Sequence, residues 1–128
     1  MILELYLARS RERSRDRSAQ GSRKEVLKLN AEEYEEIFRE ADEGFRAGQS
    51  HDELIKFLQA VHRKLGNADH ENQVNIRVDT NARGTFTTTW YNTTFVNGIA
   101  SERFTWVTGG GVLKLYAYHV ESNALLAN

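Results

Sequence analysis

The sequence predicts an α+β domain in which N-terminal helices pack on a curved four-stranded antiparallel meander sheet. Two observations carry that prediction. Apolar residues recur with a period near 3.6 from Tyr34 to Leu65, then with a period of 2 from Val74 onward. The second half is also divided by Asn81-Ala82-Arg83-Gly84, Asn97-Gly98 and Gly109-Gly110-Gly111, each a turn signal. At 128 residues, with 40% hydrophobic and 27% charged residues, the chain suits one core.

The chain opens with a low-complexity stretch in which arginines from Arg9 to Arg17 alternate with Ser10, Glu12, Ser14 and Asp16. Residues 1–28 read as a solvated tail, disordered or loosely helical, and 29–128 as the domain. Order is expected from Asn30, where Asn30-Ala31-Glu32-Glu33 resembles a capping box. The stripe Tyr34, Ile37, Phe38, Ala41 and Phe45 predicts one helix, ended by Gly48 as a left-handed cap. Ser50-His51-Asp52-Glu53 starts the next, with Leu54, Phe57, Leu58, Val61 and Leu65 on its apolar face and Gly66 as its stop.

The first strand places Val74, Ile76 and Val78 on one side and Asn75, Arg77 and Asp79 on the other. Thr85 to Val96, rich in threonine and aromatics, forms the second strand, with Asn97-Gly98 as the centre of a type I′ turn. Ala100 to Thr108 returns with Phe104 and Trp106 on one face. Val112 to Glu121 is apolar on both faces, Leu113, Leu115, Ala117 and His119 alternating with Val112, Tyr116, Tyr118 and Val120. Of 13 aromatics, 8 lie in strands: Phe86, Trp90, Tyr91, Phe95, Phe104, Trp106, Tyr116 and Tyr118. That is more than one buried face absorbs, so the excess lines a second core layer, a ligand cavity or a subunit interface.

A formal net charge of −1 gives the molecule no long-range attraction for nucleic acid or anionic membrane. The arginine tail is the one foothold for phosphates, but its interleaved acids and lack of interleaved aromatics make nucleic-acid binding the weaker reading. With no cysteine, disulfides, thiolate zinc sites and cysteine nucleophiles are excluded. No apolar run is long enough to span a membrane, and Ile2 to Leu7 lacks the form of a secretory signal, so the chain as written is expected in the cytoplasm.

The run Trp90-Tyr91-Asn92-Thr93-Thr94-Phe95 with Asn97-Gly98, then Glu102 to Trp106, then Leu115-Tyr116-Ala117-Tyr118-His119-Val120 and Ser122 resembles a known pattern. It is similar to small bacterial domains of unknown function grouped with cystatin-like and nuclear-transport-factor-two-like folds. In those, a helical part and a Tyr-x-x-x-Phe-x-x-Gly hairpin precede a strand near Gly-Tyr-His-Ile-x-Ser. The resemblance covers roughly residues 30 to 126 and implies a fold but no catalytic residues. Ala117 replaces the usual glycine. Many relatives are exported or lipid-anchored, so the resemblance implies a cell-envelope setting, whereas the lipid-attachment cysteine is missing here.

Among chemistry-bearing residues, His51 and His62 lie eleven apart on nearly one helical face, too far for a metal pair, and His70 is read as solvated. His119 lies beside the aromatic surface, where it is either a donor or base or a histidine satisfied by one partner. Glu102, if it shares the face of Phe104 and Trp106, is the acid best placed in a cavity. The triple glycine precedes a strand and has no phosphate-loop lysine. The threonine-rich strand is either ordinary β propensity or an edge that accepts a partner's strand.

The leading expectation is a non-catalytic binding or interaction domain, with no cofactor or metal, dimeric through the sheet. The alternative is a small-molecule-binding cone with acid–base chemistry around Glu102, Tyr118 and His119. Trp90, Glu102, Trp106, Tyr118 and His119 are the candidate ligand-binding residues in either case.

Overall fold

The change of apolar period at mid-chain is a change of layer. In the computed structural model, which describes residues 20–126, helix α1 runs over 20–30 and is followed by α2 (Tyr34–Glu40), α3 (Glu43–Ala47) and α4 (His51–Leu65). Strands β1 (Ala68–Asn81), β2 (Gly84–Phe95), β3 (Gly98–Gly109) and β4 (Val112–Glu121) then form one antiparallel sheet in the order β1-β2-β3-β4. A 3-10 turn, Asn123–Leu125, follows. The fold is the expected α+β class, helices before strands.

Packed structure starts earlier than Asn30. Helix α1 buries Ser22, Glu25, Val26 and Leu29, which recur at i, i+3, i+4 and i+7. Only two of these are apolar, so the stripe escapes a hydrophobicity reading. Gly21 lets the helix cross close to Trp106: a β-carbon there would lie 3.1 Å from the indole. The arginine-rich stretch from Arg9 to Arg17, with the nucleic-acid reading attached to it, lies outside the described residues.

Asn30 caps no helix. It is the last residue of α1, and its side chain clamps β1 through Asn30 Nδ2 to Ala68 O (3.1 Å) and Ala68 N–H to Asn30 Oδ1 (2.8 Å). The single helix expected after it is broken at Ala41, where the backbone turns extended (ψ 158°). There Asp42 N–H donates to Leu115 O of β4 at 2.8 Å, and the Asp42 carboxylate caps α3 by accepting from Gly44 N–H. A tertiary bond thus interrupts a continuous apolar stripe. Gly48 is right-handed (φ −74°), not a left-handed cap. The next start is as read: Ser50 accepts from Glu53 N–H at 3.2 Å, and Gly66 ends α4 at φ 77°.

Bulges set which side chains face the helices. The β1–β2 register shifts between Gln73 and Asn75, so Val74 is an extra residue. Ile76 and Val78 therefore face inward as a pair, while Val74 is 53% exposed rather than sharing their face. A second shift makes Tyr116 the extra residue between Leu115, opposite Trp106, and Ala117, opposite Thr105. Leu113 and Leu115 consequently share the inner face with Tyr118 and Val120, and His119 joins Ala117 on the outer one. The even alternation expected along β4 is corrected by that bulge.

The core lies between the helices and the inner face. Val26, Leu29, Ile37, Phe45, Leu54 and Leu58 of the helical layer pack on Tyr91, Phe104, Trp106 and Leu115. A smaller cluster joins Val61 and Leu65 to Phe95, Ala100 and Val120. Five of the strand aromatics (Tyr91, Phe95, Phe104, Trp106 and Tyr118) belong to this layer. Phe86, Trp90 and Tyr116 lie on the outer face, where Phe86 and Tyr116 meet edge to face at 5.2 Å.

The β2–β3 turn corrects the expected one. Phe95 pairs with Gly98, so Val96 and Asn97 are its central residues, and neither has positive φ. The turn is held from outside: Asn97 N–H donates to Leu65 O (2.9 Å), Val96 N–H to Asn67 O (3.0 Å), and Asn97 Nδ2 to Lys64 O (3.2 Å). These bonds satisfy carbonyls at and beyond the end of α4. The turn with two positive-φ central residues is instead Gly110-Gly111, at φ 59° and 81°.

Candidate functional site

The sheet divides the five candidate residues between its faces. Glu102, Trp106 and Tyr118 point into the core, whereas Trp90 and His119 are on the outer face, at successive positions of one cross-strand row, Trp90, Arg103, His119. They do not form one site.

Glu102 shares the face of Phe104 and Trp106 because residues two apart on a strand point the same way. It is 1% exposed, and Tyr118 donates its hydroxyl hydrogen to Glu102 Oε2 at 2.5 Å across the β3–β4 pair. Burial raises the Glu102 pKa, against the opposing influence of the Thr93 and Tyr118 hydroxyls. Thr93 is close enough to act on the carboxylate. Even so, neither Thr93 Oγ1 nor Glu102 Oε1 completes a hydrogen bond of regular geometry. Burial, and then the neighbouring carboxylate, push the Tyr118 phenol well above its usual range.

Two further acids approach this interior. Glu71 is on the inner face of β1, half-buried, its pKa raised by burial and by Glu102, with Arg23 of α1 3.7 Å away. Glu25 of α1 is held up to about 7 by burial, against the pull of Lys28 at 3.6 Å, and its Oε2 has no partner. Lys28 is shared with Glu40 of α2. Sequence reasoning missed both acids. The available sign for Glu25 was a carboxylate adjoining Val26 in the α1 stripe; for Glu71 the bulges hid its parity.

Chemically, the Glu102–Tyr118 pair can hold and share a proton. On the core side of Tyr118 there is little room for a reactant: the void lined by Glu25, Leu29, Phe45, Leu58, Phe104 and Tyr118 measures about 10 Å³, about what one water needs. The larger concavities lie elsewhere. A groove of about 310 Å³ runs between α1 and β4, lined by Lys24, Glu25, Lys28, Glu40, Trp106 and Lys114. The Trp106 indole N–H is already engaged, donating to Ser22 Oγ at 3.2 Å.

On the outer face, a depression of about 200 Å³ is bordered by Val74, Trp90, Arg103 and His119, with Glu102 also in its lining although that residue is 1% exposed. His119 Nε2 lies 3.0 Å from Glu121 Oε1 on the same strand, so one carboxylate partners it. The helical histidines have local partners as well: His51 contacts Glu35 (2.6 Å) and Asp52 (3.1 Å), and His62 contacts Asn67 (2.8 Å). Among the described residues no group of three or more His, Asp or Glu side chains is arranged to hold a metal ion, and no helix is long and apolar enough to cross a membrane.

No protein-family model matches the chain, and no curated protein matches it significantly.

Proposed function

We propose that this domain works by binding rather than by catalysis, as an interaction domain that self-associates through its sheet. One observation carries the reading. Among the described residues the helices cover one face of the sheet, whereas the outer face, with half-buried Phe86 and Trp90, and the long outer strand β1 have no such layer over them; Tyr116, at the β4 margin, packs against Gly44 of α3. Such a face is neutral enough to meet a copy of itself: Arg77, Arg103 and Lys114 are interspersed with Asp79 and Glu121. The proposed relationship to cystatin-like and nuclear-transport-factor-two-like domains fits this use, since it implies a fold without prescribing chemistry.

The competing reading, a small-molecule cone with acid–base chemistry at Glu102, needs an opening beside that carboxyl. The burial of Glu102, 1% exposed, and the small size of the void beside Tyr118 speak against it. Sedimentation equilibrium over a range of concentrations tests the proposal. The expected result is a reversible dimer whose mass is unchanged in Glu102→Gln; a monomer at every concentration would overturn it.

A further inference from the structure

Among the described residues, strand β1 lies at one margin of the sheet and pairs with β2 alone. The opposite margin, β4, is partly occupied, because Asp42 N–H bonds Leu115 O there. At its start β1 is also tied down, by the Asn30 clamp on Ala68 and by Arg23 near Glu71. Beyond the Val74 bulge, residues 75–81 run in unbroken register with β2 until the Ala82-Arg83 turn. Seven residues of regular strand therefore present one unpaired edge.

Native edges are ordinarily blunted by charges that repel an incoming strand. This one reads Asn75-Ile76-Arg77-Val78-Asp79-Thr80-Asn81, with matching ends and with opposite charges, Arg77 and Asp79, placed symmetrically about Val78. In an antiparallel pairing of two copies about a twofold axis at Val78, Asn75 faces Asn81, Ile76 faces Thr80, and Arg77 faces Asp79, each pair occurring twice. Directly opposed residues on one face are the pairs that interact across a ladder. Arg77 and Asp79 are both on the outer face and both exposed, and they already contact each other at 2.8 Å within one chain. The Ile76 N–H donates to Asn75 Oδ1 in a local, exposed bond that a partner carbonyl can replace.

We infer that residues 75–81 of β1 are a self-recognition edge, through which two copies of this chain join antiparallel about Val78 into one continuous eight-stranded sheet with a four-charge cluster of Arg77 and Asp79. The inference rests on the self-association proposed above and specifies its surface. An edge join leaves both helical layers on the same side and doubles the open face.

Charge exchange tests it, because Arg77 and Asp79 are exposed and contribute little to the fold. Arg77→Asp places acids against acids, and Asp79→Arg places cations against cations. Each variant alone is expected to dimerise at least tenfold more weakly than the wild type. An equimolar mixture of the two is expected to form a heterodimer, and the double variant R77D/D79R to recover the wild-type dimer. If the single variants dimerise like the wild type, the β1 edge is not the surface, while self-association through another part of the sheet stands. If the wild type itself is monomeric up to millimolar concentration, self-association fails and this inference with it.

Discussion

Glu102 was identifiable from the alternation of β3, which put it on the face of Phe104 and Trp106, and the structure places it there beside Tyr118. Its enclosure was not identifiable, because alternation assigns a face and not the depth of what packs over it, and part of the helical layer is α1, whose buried face includes Ser22 and Glu25. Removing the phenol hydroxyl leaves a buried carboxyl oxygen without its donor. Tyr118→Phe should therefore lower unfolding free energy by about 1–3 kcal/mol in urea denaturation at neutral pH. Glu25 makes a pH prediction. Its carboxyl titrates near 7 in the fold against 4.5 for the free group, so between those values the folded state binds more protons than the unfolded one. Stability contributed by this group is full below about 4.5, falls as pH rises, and is lost above about 7. Burial raises Glu71 and Glu102 in the same direction. Glu25→Gln should flatten the fall between pH 5 and 7 and raise the urea midpoint at pH 8; an unchanged pH slope would show that Glu25 titrates normally.

Elements that obey local rules were legible, and those decided by distant bonds were not. The Ser50 cap and the Gly66 stop of α4 appear where the sequence put them, since both act within a few residues. The α2–α3 break depends on Leu115, the Asn30 clamp on Ala68, and the Val96-Asn97 turn on carbonyls around the end of α4. None has a local sign. The bulges at Val74 and Tyr116 moved side chains between faces for the same reason: one extra residue inverts the parity of everything beyond it. Gly84 and Gly98 offer a matched comparison. Gly84 has φ 134°, and a β-carbon there would lie 2.4 Å from Thr108 O, whereas Gly98 has no positive φ and would meet the Ala124 methyl at 3.2 Å and Ser122 Oγ at 3.9 Å. Gly84→Ala should lower the unfolding free energy by more than about 1 kcal/mol beyond the effect of Gly98→Ala, measured by urea denaturation; equal effects would mean that the β1–β2 hairpin relaxes freely.

For the whole molecule, the class and strand order could be read in advance because period and turn chemistry agreed along most of the chain. The fate of the excess aromatics could not, because it depends on which face the helices cover. Five joined the core and three lie on the outer face, so the space between helices and sheet is packed, and the proposed self-association falls to the open face and the β1 edge. The central claim is that the sheet is where this domain meets its own copy. Amide hydrogen exchange followed at low and high protein concentration tests it most directly, because a joined edge hides main-chain hydrogens that a free edge leaves to water. The account predicts that amides within 75–81 become slower to exchange as concentration rises, with the helices unaffected. Sheet amides that exchange at the same rate at every concentration would contradict it.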